Sequence, residues 1–263
     1  MASLDPVLDK DGVQLTVDDA IATVTLTNPA KRNAQSPALW RALAEAGRLL
    51  PGTVRVVVLR AEGKSFSAGL DRQAFTPEGF EGEPSFIDLA RGGDAELDAT
   101  IAEYQEAFTW WRRSDIVSIA AVQGHAIGAG FQLALACDLR VVADDVQFAM
   151  RETSLGLVPD LTGTHPLVGL VGYARALEIC VTGRFVQAGE AVSTGLANVA
   201  VPPTELDGAV RDLTAALLAA PRDAVIETKA LLRGAGERTY EEQRVAERAA
   251  QARRLRDLAG IGE

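Results

Sequence analysis

Cysteine and histidine are nearly absent from this chain of 263 residues, which holds two of each. Cys137 and Cys180 both sit inside apolar stretches, where a reduced, buried thiol is expected rather than a disulfide. His125 and His165 have no cysteine or carboxylate at ligand spacing, so there is no zinc signature and both read as turn or packing residues. A Gly-x-Ser-x-Gly elbow is also missing, and neither Ser67 nor Ser118 stands in a setting that activates a nucleophile, which argues against serine-hydrolase chemistry. No apolar run reaches the roughly 18 residues that cross a bilayer. The segment from Met1 to Pro6 lacks the basic and apolar regions of a secretory signal, so a cytoplasmic location is expected. Basic residues are the minority sign, 26 Lys and Arg against 36 Asp and Glu, for a net charge of −10. That balance argues against a nucleic-acid partner, which needs a basic face. A small anionic ligand held by local cations such as Lys31, Arg32 and Lys64 remains compatible with it.

What is present is a globular composition, 48% hydrophobic and 24% charged, sufficient for one large core or a core with an appendage. Val13 to Val17 and Ala20 to Leu26 read as a hairpin with an acidic Asp18-Asp19 turn. Ser36 and Pro37 supply a cap and a first-turn proline for a helix over Ala38 to Leu50. Val54 to Leu59 and Val117 to Val122 are near-continuous apolar runs, as suits strands covered on both faces. Between them, Gln73 to Asp98 breaks into Gly, Pro and acidic residues with Phe75, Phe80 and Phe86 interspersed. A long loop or lid is expected there. Helical periodicity returns from Leu97 to Arg113, a short helix follows Gly128, and Leu139 to Ala143 is another strand. From about Thr204 the chain turns Ala-rich and helical, with helices expected over Ala224 to Leu232 and Glu241 to Leu258 that pack on the domain or on a neighbouring subunit.

Two glycine-rich turns follow buried strands: residues 63–71, GKSFSAGLD, and residues 124–132, GHAIGAGFQ. Small residues there allow close backbone approach, and the second turn opens a helix whose first N–H groups lack internal partners. Taken singly, either turn is also accounted for by tight strand–helix packing. Together with Asn28 to Ala34 (NPAKRNA), Cys137 to Val141 (CDLRV) and Gly156 to Asp160 (GLVPD), they resemble the crotonase superfamily, the enoyl-CoA hydratase/isomerase family, over most of the chain. The resemblance implies an α/β crotonase (ClpP/crotonase-like) spiral of repeated β-β-α units over residues 1–200. It also implies a C-terminal helical segment over 201–263 that helps build a homotrimer or dimer of trimers. The implied substrate is an acyl-CoA thioester whose carbonyl lies between the backbone N–H groups of Leu70 and Ala129, the latter alanine where many relatives carry glycine. Lys31, Arg32, Ala34, Ala68 and Asp71 fall at positions implied to contact CoA. Lys31 and Arg32 would lie near the phosphates, although solvent exposure for these two and helix capping for Asp71 explain them equally. Coenzyme A is part of the substrate, and no metal or redox cofactor is implied.

The reaction turns on three side chains. Typical hydratases of the family use two glutamates, but the first of these positions is Gln132, an amide that orients by hydrogen bonding and cannot serve as a general base. The second is Glu152, beside the apolar Leu155 to Val158 segment, where desolvation would raise its pKa into a useful range. A surface ion pair with Arg151 or Arg140 is the alternative for Glu152. Asp160 adds a second acid, as in family members that isomerise dienoyl-CoA thioesters, although those carry a third acid where Gln132 stands. Asp160 also fits a cap on the following turn. Double-bond isomerisation through an enolate is therefore slightly favoured. Hydration by Glu152 with Gln132, and a non-catalytic acyl-CoA-binding protein, are the two alternatives.

Overall fold

The computed structural model describes residues 5–261. The acidic turn, with Asp19 at φ 52°, closes β2 (Val13–Asp18) antiparallel onto β3 (Ile21–Leu26), and β1 (Leu8–Lys10) joins the outer edge. In α1 (Pro37–Arg48) the Ser36 hydroxyl accepts the Leu39 N–H and Pro37 is the first helical residue. The helix thus starts one residue earlier than expected, because a proline gives up no needed donor at that position. β4 (Val56–Ala61) and β5 (Val117–Val122) continue the sheet in parallel, followed by β7 (Leu139–Ala143) and β10 (Val199–Val201). The final order is β1-β2-β3-β4-β5-β7-β10.

Residues 73–98 are more ordered than the expected loop: they contain α2 (Phe86–Arg91), capped by Ser85, and the start of α3 (Asp94–Thr109). Glycine and proline density hid a helix of six residues, too short for a periodic signal. The turn after β5 likewise conceals β6 (His125–Ile127), which pairs with β8 (Gln147–Ala149), and β8 in turn pairs with β9 (Val186–Gln187). Ser67 bridges Ala126 in the same direction. Each cycle thus sends one long strand to the main sheet, one short strand to the second sheet, and then a helix. β5, β6 and α4 (Ala129–Ala136) make one such cycle; β7 and β8 with α5 (Thr164–Val171) and α6 (Tyr173–Thr182) make the next. This is the β-β-α spiral.

α7 (Ala188–Ser193) leads into β10. Three helices then follow rather than the two expected: α8 (Leu206–Ala219), α9 (Arg222–Gly234) and α10 (Tyr240–Leu258). Leu206 and Val210 of α8 pack on Val58, Ile119 and Val141, while Trp40, Leu43, Phe108 and Trp111 fill the core on the other side of the sheet. Both faces are therefore covered, which explains the unbroken apolar runs of β4 and β5. Lys229 on α9 fastens the helical segment to the core. Its Nζ donates to Asp138 Oδ2 at 2.7 Å and to the Arg113 and Ile116 carbonyls at 2.7 and 2.6 Å. Among the described residues, no helix is long and apolar enough to cross a membrane.

Candidate active site

The first glycine turn is held by main-chain bonds on two sides. Toward the second turn, Phe66 and Ser67 donate to the Gln123 and His125 carbonyls, both at 2.9 Å, and Ile127 returns a bond to the Ser67 carbonyl at 3.0 Å. On the opposite side Gln35 N–H donates to the Gly69 carbonyl at 2.7 Å, and Asp71 N–H donates to the Gln35 carbonyl at 2.8 Å. In a parallel bridge of this kind the residue between the two bonds turns its own N–H away, and here that residue is Leu70. Gly69 has φ +86°, and a Cβ there would stand 2.5 Å from the Ile127 carbonyl oxygen. Only glycine lets the turns come this close. Ala129 is the first residue of α4, where N–H groups have no partner one turn back. Among the described residues, neither the Leu70 nor the Ala129 N–H donates to a protein acceptor. Both residues line one cavity of about 790 Å³.

Buried side chains brace this arrangement from below. The Gln35 amide donates to Ser67 Oγ at 3.2 Å and accepts the Trp40 indole N–H at 2.7 Å, and Ser67 Oγ donates to the Asn33 carbonyl at 2.8 Å. Asn33 Nδ2 donates to the Glu62 and Ser65 carbonyls, both at 2.9 Å. Sequence reasoning passed over Gln35 and Trp40, whose partners are set by the fold. A fully buried polar amide of this kind is visible only once its burial is known.

Glu152 and Asp160 line the same cavity as the two turns. Glu152 is only 9% exposed, and its Oε1 accepts Gln132 Nε2 at 2.7 Å. Its Oε2 is buried with no hydrogen-bond partner. A Cβ on Gly128 would meet Glu152 Oε1 at 3.3 Å, so the carboxyl abuts the second turn. Burial raises its pKa above the ordinary carboxylate value, with the neighbouring Asp160 charge adding to the rise against the Gln132 hydrogen bond. Burial raises Asp160 as well. Among the described residues its side chain accepts from no other residue, so it does not cap the following turn; its carbonyl accepts Gln105 Nε2 at 2.6 Å. The ion pair considered for Glu152 is not formed. Arg140 is turned to the Leu196, Cys137, Ala134 and Asp138 carbonyls. Arg151 donates to the Gly183 carbonyl and lies over the Phe185 ring.

Lys31, Arg32, Ala34, Ala68 and Asp71 come together along one edge of the first turn. Lys31 Nζ pairs with Asp71 Oδ2 at 3.0 Å, and Asp71 also caps the Gln73 N–H at 3.1 Å. Although burial alone would raise Asp71, the Gln73 N–H and Lys31 together hold it below the ordinary carboxylate value. The Arg32 carbonyl, in a left-handed turn, accepts the Ala68 N–H at 2.9 Å, and the Ala34 N–H donates to the Lys31 carbonyl at 3.1 Å. Of these five residues only Ala68 lines the cavity. The cavity's other wall is apolar, formed by α2 and α3 with Phe75, Phe86, Leu89, Leu97 and Ile101; Phe80 is not part of it. His125 Nδ1 lies 3.2 Å from Ser65 Oγ, but neither residue lines the cavity, and His165 is exposed on α5. Both cysteines are free; burial pushes the Cys137 thiol up to about 12.

Two unpaired N–H groups facing one cavity can receive an oxygen that gains negative charge, and an unpartnered carboxyl oxygen beside them can exchange a proton. Comparison with known proteins gives a consistent picture. A family model described as enoyl-CoA hydratase/isomerase matches residues 16–257. The chain is 35% identical over 235 residues to a carnitinyl-CoA dehydratase of Salmonella paratyphi A, covering 88% of this chain and 84% of that one. A provisionally assigned enoyl-CoA hydratase from Thermobifida fusca, solved in complex with CoA, is 50% identical with a TM-score of 0.90 over 95% of each chain. Its complex with acetoacetyl-CoA gives 51% identity and a TM-score of 0.90 over 94% of this chain and 95% of that one.

Proposed function

The chain belongs to the enoyl-CoA hydratase/isomerase family, and on that premise we propose that it stabilises the enolate of an acyl-CoA thioester and moves a proton between its carbons. The thioester oxygen is received by the Leu70 and Ala129 N–H groups. Glu152 Oε2 takes a proton from the carbon beside the carbonyl: the C–H bond breaks, an O–H bond forms, and the electron pair moves onto the thioester oxygen. Each backbone donor contributes roughly 3 kcal/mol to that charge in comparable oxyanion holes. The proton returns to a different carbon from Glu152 or from Asp160, which shifts the double bond. The transfer is redox-neutral and needs no metal or redox cofactor. The observation that carries this reading is the pair of unpartnered N–H groups beside the unpartnered, buried Glu152 Oε2. CoA bound to the Thermobifida fusca relative supports the CoA thioester, with Lys31, Arg32, Ala34, Ala68 and Asp71 along its path.

A second reading, water addition by Glu152 with Gln132 orienting the water, is supported by the hydratase and dehydratase names of the relatives. Incubation with 2-hexenoyl-CoA and 3-hexenoyl-CoA separates the two: a double-bond shift supports isomerisation, and a hydroxyacyl product alone supports hydration. Glu152→Gln should lower either activity about 10²- to 10⁴-fold, and full activity in that variant would remove Glu152 from the mechanism. Tight acyl-CoA binding with no turnover of any thioester would instead mark a non-catalytic binder. We also propose assembly as a homotrimer or dimer of trimers. The support is the exposure of large apolar side chains on α6, α9 and α10, among them Tyr173, Val181, Leu232 and Leu258; the solution mass measured by light scattering tests it.

A further inference from the structure

Gln132 is 1% exposed on α4, and its side chain makes three hydrogen bonds. Oε1 accepts the N–H groups of Leu161 at 2.9 Å and Gly163 at 3.2 Å, and Nε2 donates to Glu152 Oε1 at 2.7 Å. Backbone N–H groups only donate, so the amide oxygen must face them and the NH₂ group is directed at the carboxyl. A side chain at 163 would close that space, since a Cβ there would stand 2.7 Å from Gln132 Cγ.

We propose that Gln132 is a positioning residue that anchors Glu152 Oε1, leaving Oε2 as the oxygen that exchanges the substrate proton. The proposal rests on the reading of Glu152 as the acid–base group. An N–H donor on Oε1 favours the carboxylate form, opposing the burial around it. The other titratable and charged groups near Glu152 are Asp160 in the same cavity, Cys180 on α6, and Arg151, whose guanidinium is turned to Gly183 and Phe185. None of them donates to Oε1. A glutamate at 132 would still accept from Leu161 and Gly163, but it would set an oxygen against Glu152 Oε1, and two carboxyls at that spacing must share a proton.

The test is deuterium uptake at C2 of 3-hexenoyl-CoA by the full chain, followed from about pH 5 to 9 so that the ionisation of the base is spanned. Exchange requires the carboxylate, so kcat/KM rises with pH to a plateau. In Gln132→Met, which removes the donor, the rising limb should move alkaline by about one pH unit or more. In Gln132→Glu the shared proton supplies an O–H donor to Oε1, so its limb should stay nearer the wild-type pH than that of Gln132→Met. KM should stay within about threefold in Gln132→Met, because the Gln132 side chain, although it borders the cavity, is 1% exposed and spends its polar atoms on protein partners. A Gln132→Met limb that stays at the wild-type pH, whatever happens to kcat, overturns the proposal. Wild-type protein gives a second measurement that needs no variant to fold: the side-chain amide NMR signal of Gln132 should titrate with the midpoint of the activity limb. A signal that does not change with pH overturns it too. Glu152→Gln separates the two layers. Loss of exchange there, with an unshifted limb in Gln132→Met, removes the positioning role alone; full exchange there removes Glu152 as the base and the positioning role with it.

Discussion

Residues 63–71 and residues 76–93 border the same cavity but are held by different physics. The first segment is tied by main-chain hydrogen bonds to Gln123, His125 and Ile127 on one side and to Gln35 on the other, with glycine at the point of closest approach. The second is held largely by side chains: Arg41 bridges Glu83 and Glu103, and Phe75 meets Phe86 edge-on at 5.5 Å. Main-chain ladders do not depend on which side chains are present, so the end of the cavity lined by the turns is fixed by backbone geometry. The apolar end is shaped by side chains, which can change without disturbing that geometry. On the proposed function, the thioester carbonyl falls to the turns and the choice of acyl group to the cover.

The largest expected effect strikes the turn. Gly69→Ala places a Cβ against the Ile127 carbonyl at a positive φ, which should cost about 1–3 kcal/mol in stability and about 10²- to 10³-fold in turnover as the Leu70 donor is displaced. Thermal unfolding and steady-state rates check both, and a fully active variant would undo the contrast between the two segments. A smaller effect concerns the carboxyl between them. Because the folded protein raises the pKa of Glu152, it binds that proton more tightly than the unfolded chain. The group's contribution to stability is therefore complete below the ordinary carboxylate range and is lost as pH rises through the folded value. Glu152→Gln should thus gain stability relative to wild type as pH rises from about 4 to 8, although it loses activity; denaturation midpoints across that range would show it. The smallest effect is at the cover. Arg41 is 41% exposed, so Arg41→Ala should cost under about 1 kcal/mol. It should raise KM for long-chain acyl-CoA more than it lowers kcat, and equal loss for short and long chains would contradict the assignment of the cover to acyl selection.

Much of the frame was legible from local pattern. The Asp18-Asp19 hairpin, the Ser36-Pro37 helix start and the runs that became β4 and β5 are written in consecutive residues, and the structure has each of them within a residue or two. The short strands β6, β8 and β9 were not, because two or three residues carry no period. α2 was hidden by the glycine and proline around it, and of the interspersed Phe75, Phe80 and Phe86 only the first and last line the cavity.

The sequence by itself carried the two glycine turns and offered Glu152, Asp160 and Gln132 as candidate groups, and through its resemblance to a known family it implied the spiral. Tertiary structure alone decided what they touch. The Gln35 bridge that turns the Leu70 N–H toward the cavity spans 35 positions in sequence, the Lys229 anchor on Asp138 spans 91, and the polarity of the Gln132 amide is set by backbone donors 29 and 31 positions away. Hydrogen bonds across such separations have no local periodicity to betray them; they exist only once burial has removed water and left each polar group to find a protein partner.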